Sequence, residues 1–363
     1  MPISEERVRA ALESYVEPYL QQTLSQAGAL RALEVRGELV RVKLELGFPA
    51  LGYAHVLQAA LQRHLAALDP GMELTLELTS RIVPHAVQRH LKPIAKVKNI
   101  VAVASGKGGV GKSTVAVNLA LAWAMSGAQV GILDADIYGP SQPLMLGLSG
   151  QRPSSADGKH IQPLEAHGLK AMSIGFLVEP EQAVVWRGPM VTQALTQLLS
   201  DTDWGELDYL VVDMPPGTGD IQLTLAQRVP VAGAVIVTTP QDIALADALK
   251  GLVMFEKVSV PVLGIIENMS VHVCSHCGHV DHIFGEGGGA RLAAQHNVAL
   301  LGELPLDARI REEADGGRPS VIAEPGSERA QRYLEAARRT AAVLARRARD
   351  HSAVFPKIVI EDT

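Results

Sequence analysis

The sequence predicts an α/β protein: a mostly parallel, doubly wound sheet preceded by a small α/β sandwich domain. Three observations predict it. From Asn99 onward, short runs rich in valine, isoleucine and leucine alternate with helix-compatible stretches, the pattern of strands covered on both faces by crossover helices. A glycine-rich segment, SGKGGVGKST at 105–114, separates the first of these strands from the first helix. Residues 1–80 carry helix and strand signals of their own, and a basic, proline-bearing stretch divides them from the rest.

Within residues 1–80, SEERVRAALESYVEPYLQQTL reads as a helix, ALEVRG and LVRVKLEL as a strand pair, YAHVLQAALQRHLAAL as a second helix and MELTLELTS as an alternating strand. Residues 81–98, with Pro84 and Pro93, read as a linker. The domain 99–350 follows, with strands in IVAVAS, QVGILDAD, LKAMSI, LDYLVVD, AGAVIVTT and VPVLGIIEN. Helices are expected at 112–126, 189–200, 219–229 and 242–258, and SERAQRYLEAARRTAAVLARRARD closes the domain before a tail at 351–363. There is no internal repeat.

Composition bounds the function classes. A chain of 363 residues, 47% hydrophobic and 20% charged, is that of an ordinary folded protein of two or three domains. Its net charge of −6, from 33 basic and 39 acidic residues, argues against a nucleic-acid surface. The start MPISEERVRA lacks the basic and apolar regions of a secretory signal. No apolar run reaches the ~18 residues of a spanning helix. These features predict a cytoplasmic protein with neither nucleic acid nor membrane as partner. Its two cysteines, Cys274 and Cys277, are then better suited to metal or redox chemistry than to a structural disulfide.

Gly106, Gly111, Lys112 and Ser113 complete a G-x-x-x-x-G-K-[ST] phosphate loop. Between strand and helix, its backbone N–H groups and the helix N-terminus face an anion. Gly108, Gly109 and Gly111 let the backbone close around phosphates. The candidate nucleotide site is therefore Gly106, Lys107, Gly108, Gly109, Val110, Gly111, Lys112, Ser113 and Thr114. Lys112 is expected to reach the β- and γ-phosphates, and the Ser113 hydroxyl to ligate Mg²⁺. Asp134 and Asp136 end one strand beside this loop, and Asp213 ends another. Asp213 reads as the carboxylate that holds Mg²⁺ through water. Gly217, closing the stiff turn PPG, suits a backbone N–H aimed at the γ-phosphate, and Asp220 reads as a helix N-cap.

KGGVGKST, DADIYGPS, DMPPGTGD and IIENMS together resemble the deviant-Walker P-loop ATPases, the group containing MinD, ParA and the Mrp/ApbC proteins. The resemblance implies that Lys107 crosses a homodimer interface to the partner's nucleotide, making hydrolysis depend on dimer closure. It implies further that Asp136 orients the attacking water, that Asp134 supports Mg²⁺ and that Asn268 reads adenine, so that the nucleotide is ATP.

Cys274-Ser-His-Cys277 is by itself half of a tetrahedral thiolate site. A redox pair is one reading, and a single-chain zinc site completed by two of His276, His279 and His282 is another. A third takes four thiolates from two chains for one [4Fe–4S] cluster. The pair, with SIGFLV, VWRGPM, ENMS and IFGEGGG, resembles the Mrp/ApbC iron–sulfur carriers over nearly the whole chain, and residues 1–80 resemble the small domain of iron–sulfur assembly proteins. The implied function is an ATP-hydrolysing carrier that holds a labile [4Fe–4S] cluster at a dimer interface and passes it to apo-proteins, with assembly factors as further partners. The small domain departs from its pattern: LELGFPALGYAHV has no cysteine where one often stands. The rivals are a nucleotide-gated positioning switch of the MinD/ParA kind, against which the acidic, proline-bearing FPKIVIEDT argues, and an ATPase with a structural zinc site.

Overall fold

The structure, a computed structural model, describes residues 4–155, 157–178 and 188–349. The tail 351–363 and the start of VWRGPM lie outside the described residues.

The N-terminal unit is a three-stranded sheet covered by two helices. Strand Leu39–Leu46 is central, antiparallel to Leu30–Arg36 and parallel to Glu73–Ser80. Its alternation is the period-2 signal of a half-buried strand: Val40, Val42, Leu44 and Leu46 point inward. Helix Ala54–Leu65 buries Leu57, Leu61 and Leu65, one face at a spacing of four. The first helix is shorter than the sequence suggests, Glu5–Ser14. Tyr15 turns extended, Pro18 cannot donate into a helix, and Val16–Glu17 pairs with Gln22–Thr23 instead.

That short pair places Glu17 fully out of solvent. Its carboxylate accepts from Leu20 N at 2.6 Å and from the Tyr53 hydroxyl at 2.8 Å, and among the described residues it forms no salt bridge. Burial therefore raises its pKa above the ordinary 4.5. The unfolded chain releases this proton first, so stability is greatest below the ordinary pKa and falls as pH rises toward the folded value. Glu17→Gln removes the buried charge and is expected to raise the thermal midpoint at neutral pH and to flatten this slope. Melting curves across pH 4–8 check it, and an unchanged slope would show that Glu17 titrates alike in the folded and unfolded chain.

The second unit is a nine-stranded sheet. Across it run Val262–Val273, Gly233–Thr238, Val97–Ala104, Leu207–Asp213, Val130–Asp134 and Leu169–Ser173, all parallel, with Ala299–Pro305 also parallel beside Val262–Val273. Antiparallel additions are Leu164–Ala166 and the two-residue Val280–Asp281. Val97–Ala104 lies between Gly233–Thr238 and Leu207–Asp213, where the winding reverses, so the loop that follows it opens into the crevice typical of ligand sites. The expected helices appear as Lys112–Met125, Gly188–Asp201, Asp220–Arg228 and Asp242–Lys257, and the closing helix as Glu328–Ala345. Lys112–Met125 is buried nearly all round. Its Trp123 stacks on Tyr209 at 4.6 Å and donates from Nε1 to the Ala337 carbonyl at 2.8 Å, which ties the closing helix to the core.

The stretch expected to be a linker is bonded to the second unit. Gln88 Nε2 donates to Ala226 O at 2.8 Å, His85 N donates to Asn99 Oδ1 at 3.1 Å, and strand pairing already begins at Val97 opposite Leu207. The two units also touch directly: Leu51 N donates to Ser126 O at 3.1 Å, and the Arg338 guanidinium lies 5.4 Å from the centre of the Tyr53 ring.

Candidate nucleotide and metal sites

The phosphate loop leaves the buried strand Val97–Ala104 and runs directly into helix Lys112–Met125. Two of its glycines have distinct causes. A side chain at Gly106 would collide with the backbone of Asp247, so this position admits helix Asp242–Lys257 against the loop. Gly111 caps the P-loop helix at φ +80°, and a side chain there would collide with Asn268.

Lys112, 6% exposed, turns its amine onto the fully buried Asp213 and lies 3.1 Å from Ser113 Oγ. Gln142 Nε2 donates to the other Asp213 oxygen at 2.9 Å and to Ser113 O at 3.2 Å. The sequence reading missed Gln142; its only signal was its place in the polar turn after Asp136.

Asp134 is a hub. Its carboxylate accepts from Asp136 N (3.1 Å), Ser141 N (3.0 Å), Gln142 N (3.1 Å) and Ser173 Oγ (3.2 Å), which fixes the turn carrying Asp136 and Gln142. Burial, then the neighbouring Asp213 carboxylate, pushes the Asp134 pKa up to about 7. Asp136 is half-buried, accepts from Gly139 N at 3.2 Å, and has its pKa raised mainly by burial.

Gly217, at φ +95°, gives its N–H to Ser105 O at 3.1 Å, because the turn folds back onto the end of the loop strand. The N-cap of the following helix is Gly219, and Asp220 is its first helical residue, where its charge meets the positive end of the helix dipole. Asn268, 5% exposed, donates from Nδ2 to Val110 O at 2.8 Å and so props the phosphate loop. The Lys107 side chain is half-buried, and its backbone carbonyl accepts from Ser105 Oγ at 2.8 Å. Among the described residues the Lys107 amine has no ion-pair or hydrogen-bond partner.

The cysteines occupy the tip of a hairpin. His272 and Val273 pair with Asp281 and Val280, Cys274 N donates to His279 O at 2.9 Å, and Gly278 N donates to Cys274 O at 2.9 Å. Both thiols are free, and Cys277 is exposed. The N–H groups of Cys277 and His276 face the Cys274 sulfur and lower its pKa, which favours the thiolate that binds metals. Val273 and Val280, paired across the base of the tip, and Ile283 on the returning arm are each about half exposed. His272 and His282 each bond from Nδ1 to a backbone carbonyl, those of Leu306 and Ser270. Among the described residues no three His, Cys, Asp or Glu side chains stand close enough to share a metal ion.

The family described as ParA, NUBPL iron-transfer P-loop NTPase, matches residues 96–341. The chain belongs to this family. A second family, described as iron-sulfur cluster assembly protein, matches residues 5–74. The NTPase is similar to the iron-sulfur cluster carrier protein of Haemophilus influenzae, at 51% identity over 338 residues, covering 93% of this chain and 91% of that one. It is 60% identical over 278 residues to the carrier protein of Pseudomonas fragi, covering 76% of this chain and 97% of that one. Among solved structures it resembles the nucleotide-binding protein of Archaeoglobus fulgidus in complex with ADP. That match has 40% identity and a TM-score of 0.57, over 64% of this chain and 90% of the other.

Proposed function

We propose that this NTPase is a cytoplasmic, ATP-hydrolysing iron–sulfur cluster carrier that works as a homodimer and hands its cluster to apo-proteins, receiving it from assembly factors. One observation carries the reading: the strand whose base props the phosphate loop through Asn268 ends in the hairpin that presents two free thiols. The names borne by the relatives support it.

The donor set suits a magnesium nucleotide. The loop amides and the N-terminus of helix Lys112–Met125 would bind the phosphates, with Asn268 on the adenine side, and Lys112 would leave Asp213 for the β- and γ-oxygens. Ser113 and Asp213 would hold Mg²⁺, with Asp134 fixing the turn behind them. Bound Mg²⁺ would neutralise charge developing on the phosphate oxygens. Asp136 would orient water, and the Gly217 N–H would exchange Ser105 O for a phosphate oxygen. Two chains would each give Cys274 and Cys277 to one [4Fe–4S] cluster as cargo, the apolar rim of Val273, Val280 and Ile283 closing around it. Metal analysis of anaerobically purified protein tests this: iron with sulfide is expected, and zinc alone would favour the structural-metal reading.

The unpaired Lys107 amine supports a role in trans. Lys107→Ala is expected to bind ATP yet lose most hydrolysis. Mixed with Asp136→Ala, it should regain activity, because one site of each heterodimer carries neither lesion. Heterodimers that form but stay inactive would remove the trans assignment.

A further inference from the structure

Strand Val262–Val273 is continuous in sequence but broken in register. Residues Gly264–Glu267 pair with Ala299–Glu303, and pairing resumes only at Val271 opposite Pro305. The break holds Asn268, Met269 and Ser270, and Met269 sits at φ +57°, a left-handed conformation that a side chain with a Cβ rarely adopts. Strain of this kind persists only where its neighbours enforce it, and here they do.

The residues on either side of Met269 make directed contacts to different parts of the site. Asn268 Nδ2 donates to Val110 O, inside the phosphate loop, at 2.8 Å. Ser270 Oγ donates to Leu304 O at 3.0 Å, and Ser270 O accepts from His282 Nδ1, on the returning arm of the cysteine hairpin, at 2.9 Å. Glu267, fully buried, accepts from Gly289 N where that arm re-enters the fold. Glu267, Asn268 and Ser270 thus touch the phosphate loop on one side and the returning arm of the hairpin on the other, with strained Met269 between Asn268 and Ser270.

We propose that Asn268–Ser270 is a mechanical joint through which occupation of the phosphate loop sets the position of the hairpin bearing Cys274 and Cys277. It rests on the nucleotide-binding half of the proposed function and does not depend on the cluster. The loop cannot move its Val110 carbonyl without carrying Asn268. Met269, already held off its relaxed conformation, converts that movement into a turn of the strand beyond Ser270. The thiols are the output, because the outgoing arm past Val271 is largely exposed and, among the described residues, pairs only with its own short returning arm and with Leu306.

The test uses the full chain without cluster, ADP with Mg²⁺ as the probe, and maleimide alkylation of Cys277 as the readout. ADP is expected to change the wild-type alkylation rate by on the order of fivefold or more, the usual scale of coupling between sites. Met269→Gly relaxes the joint and should bind ADP while losing most of that response. Met269→Asn, whose side chain tolerates the left-handed region, should keep it. A Met269→Gly response equal to wild type overturns the joint, as does a wild-type rate indifferent to bound ADP. If the Gly variant fails to fold, loss of the response in Met269→Asn overturns it as well. A wild-type chain that does not bind ADP removes the ATPase reading and the joint together, whereas bound ADP with unresponsive thiols removes the joint alone.

Discussion

Lys112→Ala is expected to reduce ATP hydrolysis by on the order of 10²–10³-fold, the loss typical of removing one preorganised partner of developing phosphate charge. The same variant should also unfold more easily. Lys112 and Asp213 are both buried, so deleting the amine strands a carboxylate, at a cost of about 3–5 kcal/mol. Urea denaturation separates the two effects. Adding Asp213→Asn to Lys112→Ala should recover much of the stability and none of the turnover, since Gln142 can still bond the amide. Near wild-type hydrolysis by Lys112→Ala would remove the P-loop assignment.

Cys274→Ala and Cys277→Ala should each abolish cluster binding. Two cysteines per chain fill half of a four-thiolate site, so reconstituted wild type should hold about four iron per dimer and each variant almost none. Stability should move by no more than about 0.5 kcal/mol, because the hairpin tip is exposed and packs against little. ATP hydrolysis should persist, since the phosphate loop keeps its own contacts. Anaerobic reconstitution that yields only zinc-loaded monomer, dependent on His279 or His282, would overturn the cluster reading and leave the ATPase reading standing.

The parts of this molecule that were legible in the sequence are those where one local rule decides. The buried strands announce themselves as apolar runs, and the phosphate loop as glycines at fixed spacing beside a lysine. Strand Ala299–Pro305 escaped because it is an edge strand, half-exposed and interrupted by Gly302, and so has neither a continuous apolar run nor clean alternation. Helices Ala308–Asp315 and Ser320–Ala323 are short and take their stability from packing that no local pattern reports. At the site, residue types were readable and partners were not. Nothing in ENMS says that Asn268 bonds Val110, 158 positions earlier, or that Met269 is left-handed. The N-cap at Gly219 instead of Asp220 is a one-residue error of the kind that propensity cannot resolve.

The closing helix Glu328–Ala345 has a bearing on how the protein is made. It receives the Trp123 indole through Ala337, meets the small unit through Arg338 at Tyr53, and is synthesised after every described strand of both sheets. Residues 5–80 contain all of their own sheet and can fold while the ribosome is still working on the rest. The nucleotide fold cannot close in that order. Until the ribosome has passed Ala345, the apolar helix behind the phosphate loop lacks one of its covers and has to be kept from sticking to other nascent chains. Closure of the nucleotide fold therefore awaits synthesis of the closing helix, and a ribosome stalled short of that helix leaves a folded small unit joined to an incompletely covered P-loop domain.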